Sequence, residues 1–147
     1  MVTKHTPIIL FREVVRDSFP LPFIEVSAGR PKPNKTNKDT VEWTVVNHTT
    51  QDIEVAVVDF YSEKGGTPFP SGFVPEPSGT VAKKAGGVPG IGTIGKIKDA
   101  TAAVKGSIEA NGDPGIYKYT VLARIIPAVG GPGPWILVRD PEMELEP

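Results

Sequence analysis

The chain has 147 residues, 39% of them hydrophobic and 22% charged, which is enough apolar material for one packed core and too little length for two. Sixteen basic residues against seventeen acidic ones leave a formal net charge of -1, so no global field draws the protein to nucleic acid or to an anionic membrane. The absence of cysteine excludes disulfides, thiol catalysis, iron–sulfur clusters and zinc-thiolate sites, and sixteen Gly with sixteen Pro, concentrated at 65–95 and 127–134, exclude long helices.

At the N-terminus the apolar run is too short for a signal peptide, and no later stretch is long enough to span a bilayer. The default expectation is a cytoplasmic protein, with a mature secreted domain as the alternative. Ile8 to Val15 is apolar and β-branched and reads as a first strand; Phe23–Ser27 reads as a short second one, held apart from the first by Pro20 and Pro22. Residues 30–38 are polar, basic and Pro-bearing, and are expected to form a solvated loop. Residues 1–38 carry seven basic against three acidic side chains, a net of 7 − 3 = +4, whereas Asp140, Glu142, Glu144 and Glu146 make the other end acidic. Solvated faces are the expectation for both ends, with pairing inside the fold or between subunits as the alternative.

Val41, Trp43 and Val45 alternate with Glu42 and Thr44, a period-two face that predicts a strand, and Ile53, Val55 and Val57 repeat the pattern after the turn residues 47–52. These two strands are expected to pair as a hairpin. Residues 63–79 hold four prolines and four glycines around Phe69 and Phe73, and read as a long loop with aromatic anchors. Short strands are expected at 80–82, 92–97 and 103–108, with a helical turn starting at Ala100–Ala103 as the alternative to the last, and loops at 85–92 and 127–134. Asn111 to Gly115 is a turn cluster; Ile116 to Ile125 and Trp135 to Val138 follow as strands, and Pro141 separates the latter from the acidic tail. Eight or nine short strands at these intervals predict a single all-β domain of sandwich type over residues 1–147.

Three segments carry a resemblance. Asp113-Pro114-Gly115-Ile116-Tyr117-Lys118-Tyr119, followed by Trp135-Ile136-Leu137-Val138-Arg139-Asp140-Pro141, resembles the last two strands of cupredoxin-like domains. Val41-Glu42-Trp43-Thr44-Val45-Val46-Asn47 resembles the cupredoxin strand that ends before the first copper histidine. Asp113-x-Gly115-x-Tyr117 is also similar to the tyrosine-corner strand of immunoglobulin-like domains. The resemblance implies a two-sheet Greek-key β-sandwich and no inherited chemistry. A blue-copper centre needs a thiolate and two imidazoles; this chain has no Cys, only His5 and His48, and Thr120-Val121-Leu122-Ala123-Arg124 where the copper ligands would stand. No cofactor is expected.

Other motifs yield to plain readings. Gly90-Ile91-Gly92-Thr93-Ile94-Gly95 spells a dinucleotide fingerprint but lacks the preceding strand and the following helix that such a site needs. No nucleophile elbow accompanies His5 or His48. The triplets beginning at Asn34 and Asn47 match the glycosylation acceptor pattern. Asp52, Asp59, Asp99 and Asp113 border turns, where Asp caps backbone amides and where calcium is the other reading. Trp43 is expected in the core. Trp135, Phe69 and Phe73 are the candidate contact residues: either they pin long loops to the sandwich or they form a platform for a sugar, peptide or partner chain. The leading expectation is therefore a non-catalytic protein-binding or assembly module, engaging a protein partner or another copy of itself. The alternative is a carbohydrate- or small-ligand-binding domain, and an enzyme comes third.

Overall fold

Alternation at period two decides which side of each strand faces inward. Trp43, Val45 and Asn47 are buried, whereas the intervening Thr44 and Val46 are only partly covered; Tyr117, Tyr119, Val121 and Ala123 repeat the rule one strand length away. Apolar faces of this kind must meet another layer, and they do so across two four-stranded sheets. The computed structural model describes residues 1–27, 29–66, 68, 80–81, 90–94, 108–110 and 112–147, all-β with no helix among them.

In chain order the strands are β1 (Lys4–His5), β2 (Ile8–Arg16), β3 (Phe19–Val26), β4 (Thr40–Val41), β5 (Trp43–Asn47), β6 (Asp52–Tyr61), β7 (Thr80–Val81), β8 (Gly90–Ile94), β9 (Ile108–Glu109), β10 (Gly115–Ile126) and β11 (Ile136–Leu145). One sheet has the order β3-β2-β5-β8 and the other β11-β10-β6-β7, and a small sheet β1-β4-β9 extends the first. Inner-face residues of both large sheets form one core that includes Ile9, Phe11, Trp43, Val55, Tyr119 and Met143. The first segment runs parallel to the fourth and fifth strands: the amides of Thr40, Glu42, Thr44 and His48 donate to the carbonyls of Thr3, His5, Pro7 and Phe11. This ladder crosses the break between β1 and β2, where Pro7 lacks an N–H.

Five local expectations are corrected. β5 and β6 do not pair. They lie in different sheets, because β5 is flanked by β2 and β8 and β6 by β10 and β7, so the connection between them crosses from layer to layer. Asn47 fixes that crossing: its carbonyl oxygen accepts from the Thr49 amide at 2.9 Å and hydroxyl at 2.8 Å, while its amide donates to the Gln51 carbonyl at 2.9 Å. Fully buried there, Asn47 is inaccessible to glycosylation in the folded protein.

Second, β3 runs through Pro20 and Pro22 and pairs along its length with β2. Ser27 donates its amide to Ile8, so in this antiparallel register the odd-numbered amides of β3 point at β2. Pro20 and Pro22 thus stand opposite Val15 and Glu13 at positions whose amides face outward. β3 is an edge strand, so no ladder bond is lost. Third, β11 continues past Pro141. Asp140 and Pro141 together face Tyr119, a bulge that absorbs the missing donor.

Fourth, the basic and acidic ends are not independently solvated. Residues 31–35 lie along the outer edge of β11, where the amides of Glu144 and Glu146 donate to the carbonyls of Pro31 and Pro33. Arg30 reaches Glu142 at 3.1 Å and Glu144 at 3.3 Å, and Lys32 reaches Glu144 at 3.9 Å. Each such half-exposed pair contributes at most about 1 kcal/mol; the backbone bonds give the strap its register. Fifth, the dinucleotide-like segment is a strand rather than a loop up to residue 92, since β8 begins at Gly90. Of the expected strand at 103–108 only Ile108 lies within the described residues.

Candidate functional site

The outer face of the β3-β2-β5-β8 sheet is built by the even-numbered residues of β2, which point away from the buried Ile9 and Phe11. Register places Leu10 beside Val46, Val46 beside Ile91, Val14 opposite Leu21 and Arg12 opposite Phe23. Ile8, Leu21 and Phe23 are nearly half exposed and Ile91 is 69% exposed. Aliphatic and aromatic side chains therefore run across all four strands on the side that faces water. The described charges on these rows cancel: Arg12 bonds Glu25 and its guanidinium lies 5.3 Å above the Phe23 ring. Scattered apolar side chains are ordinary on a protein surface; a contiguous row of them marks a contact surface.

This face was readable in the sequence. Ile8-Ile9-Leu10-Phe11, Val14-Val15 and Val45-Val46 are unbroken apolar runs, whereas a strand with one wet side alternates.

Trp135 stands elsewhere, on the outer side of the other sheet. Its ring covers the Arg124 guanidinium at 4.3 Å, and Arg124 in turn bonds Glu54 at 3.0 Å across the β10–β6 pair. The ring is half-buried and engaged within the chain. Phe69 and Phe73 lie outside the described residues, so no aromatic platform joining the three can be drawn. Trp43 is in the core as expected, with its ring 5.8 Å from both Phe60 and Tyr119.

The titratable groups with the richest surroundings hold structure. Asp39, 4% exposed, accepts from the amides of Asn34 and Thr3 at 2.9 Å and from His5 Nε2 at 3.2 Å. The Asn34 and Thr3 amides, and then His5, keep its carboxyl below the usual range although burial acts in the opposite sense. With two backbone donors on it, Asp39 clamps the N-terminal segment to the 34–39 turn. Burial pushes the Tyr117 phenol above its usual value, helped by the Asp113 carboxylate; burial does the same to Tyr119, against a hydrogen bond from Trp43. The Tyr117 hydroxyl donates to the Asp113 carbonyl at 2.5 Å. Among the described residues no group of three or more His, Asp or Glu is arranged to hold a metal ion, and no helix is long and apolar enough to cross a membrane. Compared with models of protein families, with curated proteins and with solved structures, the chain matches none.

Proposed function

We propose that the protein is a non-catalytic assembly module that associates with a second copy of itself through the outer face of the β3-β2-β5-β8 sheet. The observation that carries this reading is the apolar row Ile91-Val46-Leu10 with Leu21, Phe23 and Val14 beside it. A second copy is favoured over a charged partner because Arg12 and Glu25 already neutralise each other, so two identical faces meet without like-charge conflict. Size sets the expected strength. Four strands about 4.8 Å apart and about 30 Å long cover at most about 570 Å² in projection, short of the roughly 800 Å² per partner of a standard stable interface. A reversible dimer follows, not an obligate one.

We also read the sandwich as a metal-free relative of cupredoxin-like and immunoglobulin-like domains with Greek-key connectivity. In support, strands distant in sequence are neighbours in both sheets, and the Tyr117 hydroxyl reaches back to Asp113 in the manner of a tyrosine corner.

Light scattering across a concentration series tests the assembly reading. The mass should climb from 15.7 kDa toward twice that value, and Phe23→Asp should hold it at the lower one while leaving thermal stability intact. A wild-type chain that stays monomeric at millimolar concentration, or a Phe23→Asp variant that dimerises as well as wild type, overturns it.

A further inference from the structure

The far end of the β11-β10-β6-β7 sheet carries a cavity of about 390 Å³. Tyr61, Lys118 and Glu142 stand side by side on three neighbouring strands, since Lys118 is the register partner of both others. Ile116 flanks them. The turn after β6, closed by the Gly65 amide donating to the Ser62 carbonyl, adds Ser62, Glu63 and Lys64 to the lining.

Three features set this hollow apart from an accidental dent. Its rim is pre-formed: Gly66, at φ 83°, packs so closely on Asp113 that a Cβ there would come within 2.8 Å of the carboxylate, and Gly112 donates to the Pro68 carbonyl. The Asp113 carbonyl is in turn held by Tyr117. Next, Tyr61 and Ile116 keep 53% and 46% of their surfaces in water inside this one hollow, with polar groups around them, the arrangement of a ligand pocket rather than of packing. Finally, Lys64 and Lys118 both line it, and neither ammonium lies within ion-pair distance of a described carboxylate, whereas Lys4, Arg12, Arg30, Lys32 and Arg124 do. Glu142, the acidic group on the same row, is already neutralised by Arg30, and Glu63, the other carboxylate of the lining, offsets one of the two ammonium charges, which leaves a net single positive charge for an anion.

We infer that this cavity binds an anionic saccharide, a pyranose bearing a carboxylate or sulfate group. The apolar ring face would lie on Tyr61 against Ile116, and the anionic substituent would take the ammonium groups of Lys64 and Lys118. A neutral sugar would leave both lysines without a partner, and an anion lacking a ring would not use the exposed aromatic surface.

Calorimetric titration of the full chain with a glucuronate-containing disaccharide, its sulfated form and maltose tests the assignment. Binding of the two acidic probes should weaken with added salt and exceed that of maltose. It should fall about tenfold or more in Tyr61→Ala and in Lys64→Ala/Lys118→Ala. These side chains lie outside the core, and unchanged melting temperatures would show that the variants fold. Maltose binding as tightly as the acidic probes, no heat from any probe at millimolar concentration, or unaltered binding by the double lysine variant would each overturn the proposal. The cavity and the proposed dimer face lie on different sheets, so failure of one leaves the other standing.

Discussion

Replacing Tyr117 by Phe removes one oxygen atom and leaves the ring in place, so it isolates the bond that closes residues 113–117. The ring is fully buried opposite Met143 and no cavity opens. The Asp113 carbonyl loses this donor, at a net cost of about 1 to 2 kcal/mol. For a chain of this length that corresponds to a fall in melting temperature of about 3 to 8 °C. Tyr119→Phe is the internal control, because Trp43 Nε1 stands 3.4 Å from the Tyr119 hydroxyl, at the weak end of hydrogen-bond geometry; its cost should stay below about 1 kcal/mol.

Alkaline pH gives a second readout of the same pair. Both phenols are raised above 10.0 in the folded chain, so their contribution is intact below that value and is lost as pH rises through the higher folded pKa. Urea denaturation at pH 7 and from pH 9 to about 11 should therefore show a shallower alkaline loss in Tyr117→Phe, with Tyr119 supplying what remains. A Tyr119→Phe variant as destabilised as Tyr117→Phe, or an unaltered alkaline slope in the latter, would refute this account.

Two further substitutions probe the remaining polar clusters. Asp39 is lowered from 3.8, so its contribution is present above that value and disappears as pH falls through the lower folded pKa. Asp39→Asn should destabilise the protein at neutral pH, with the gap to wild type closing as acid protonates Asp39, followed by circular dichroism during acid titration; a constant gap would mean that the charge is not what the two amides hold. Trp135→Ala should cost about 0.5 to 1 kcal/mol through loss of the contact with Arg124, measured in urea, and unchanged stability would show that the ring does not cover the guanidinium in solution.

The sheet content and the inward sets were legible because Val41-Trp43-Val45, Ile53-Val55-Val57 and Tyr117–Ala123 alternate, and burial follows the alternation except at Ala56, which is buried as well. Partner choice was not. Alternation gives a strand its inner side and not its neighbour, so Val45 and Ile53 read equally well as a hairpin and as facing layers; the buried hydrogen bonds of Asn47 and Thr49 decide for the layers. Pro20, Pro22 and Pro141 misled for a related reason, because proline forbids an interior ladder position but not an outward edge or a bulge. The pairing of Arg30 with Glu142 joins residues 112 apart, beyond the reach of any local pattern. Trp135 is conspicuous in the sequence as an aromatic next to a glycine-proline loop, whereas Tyr61 closes a strand pattern and carries no local mark of its own.

Pro20 and Pro22 bear on how large an assembly can become. Joining β3 edges strand to strand could enlarge the sheet with every copy added, but β3 presents carbonyls without their matching amides at two of its outward positions, so such growth starts badly. The proposed contact between β3-β2-β5-β8 faces has no such tendency, since that face is used up once two copies have met. The two missing amides thereby favour a particle of fixed count over a fibre.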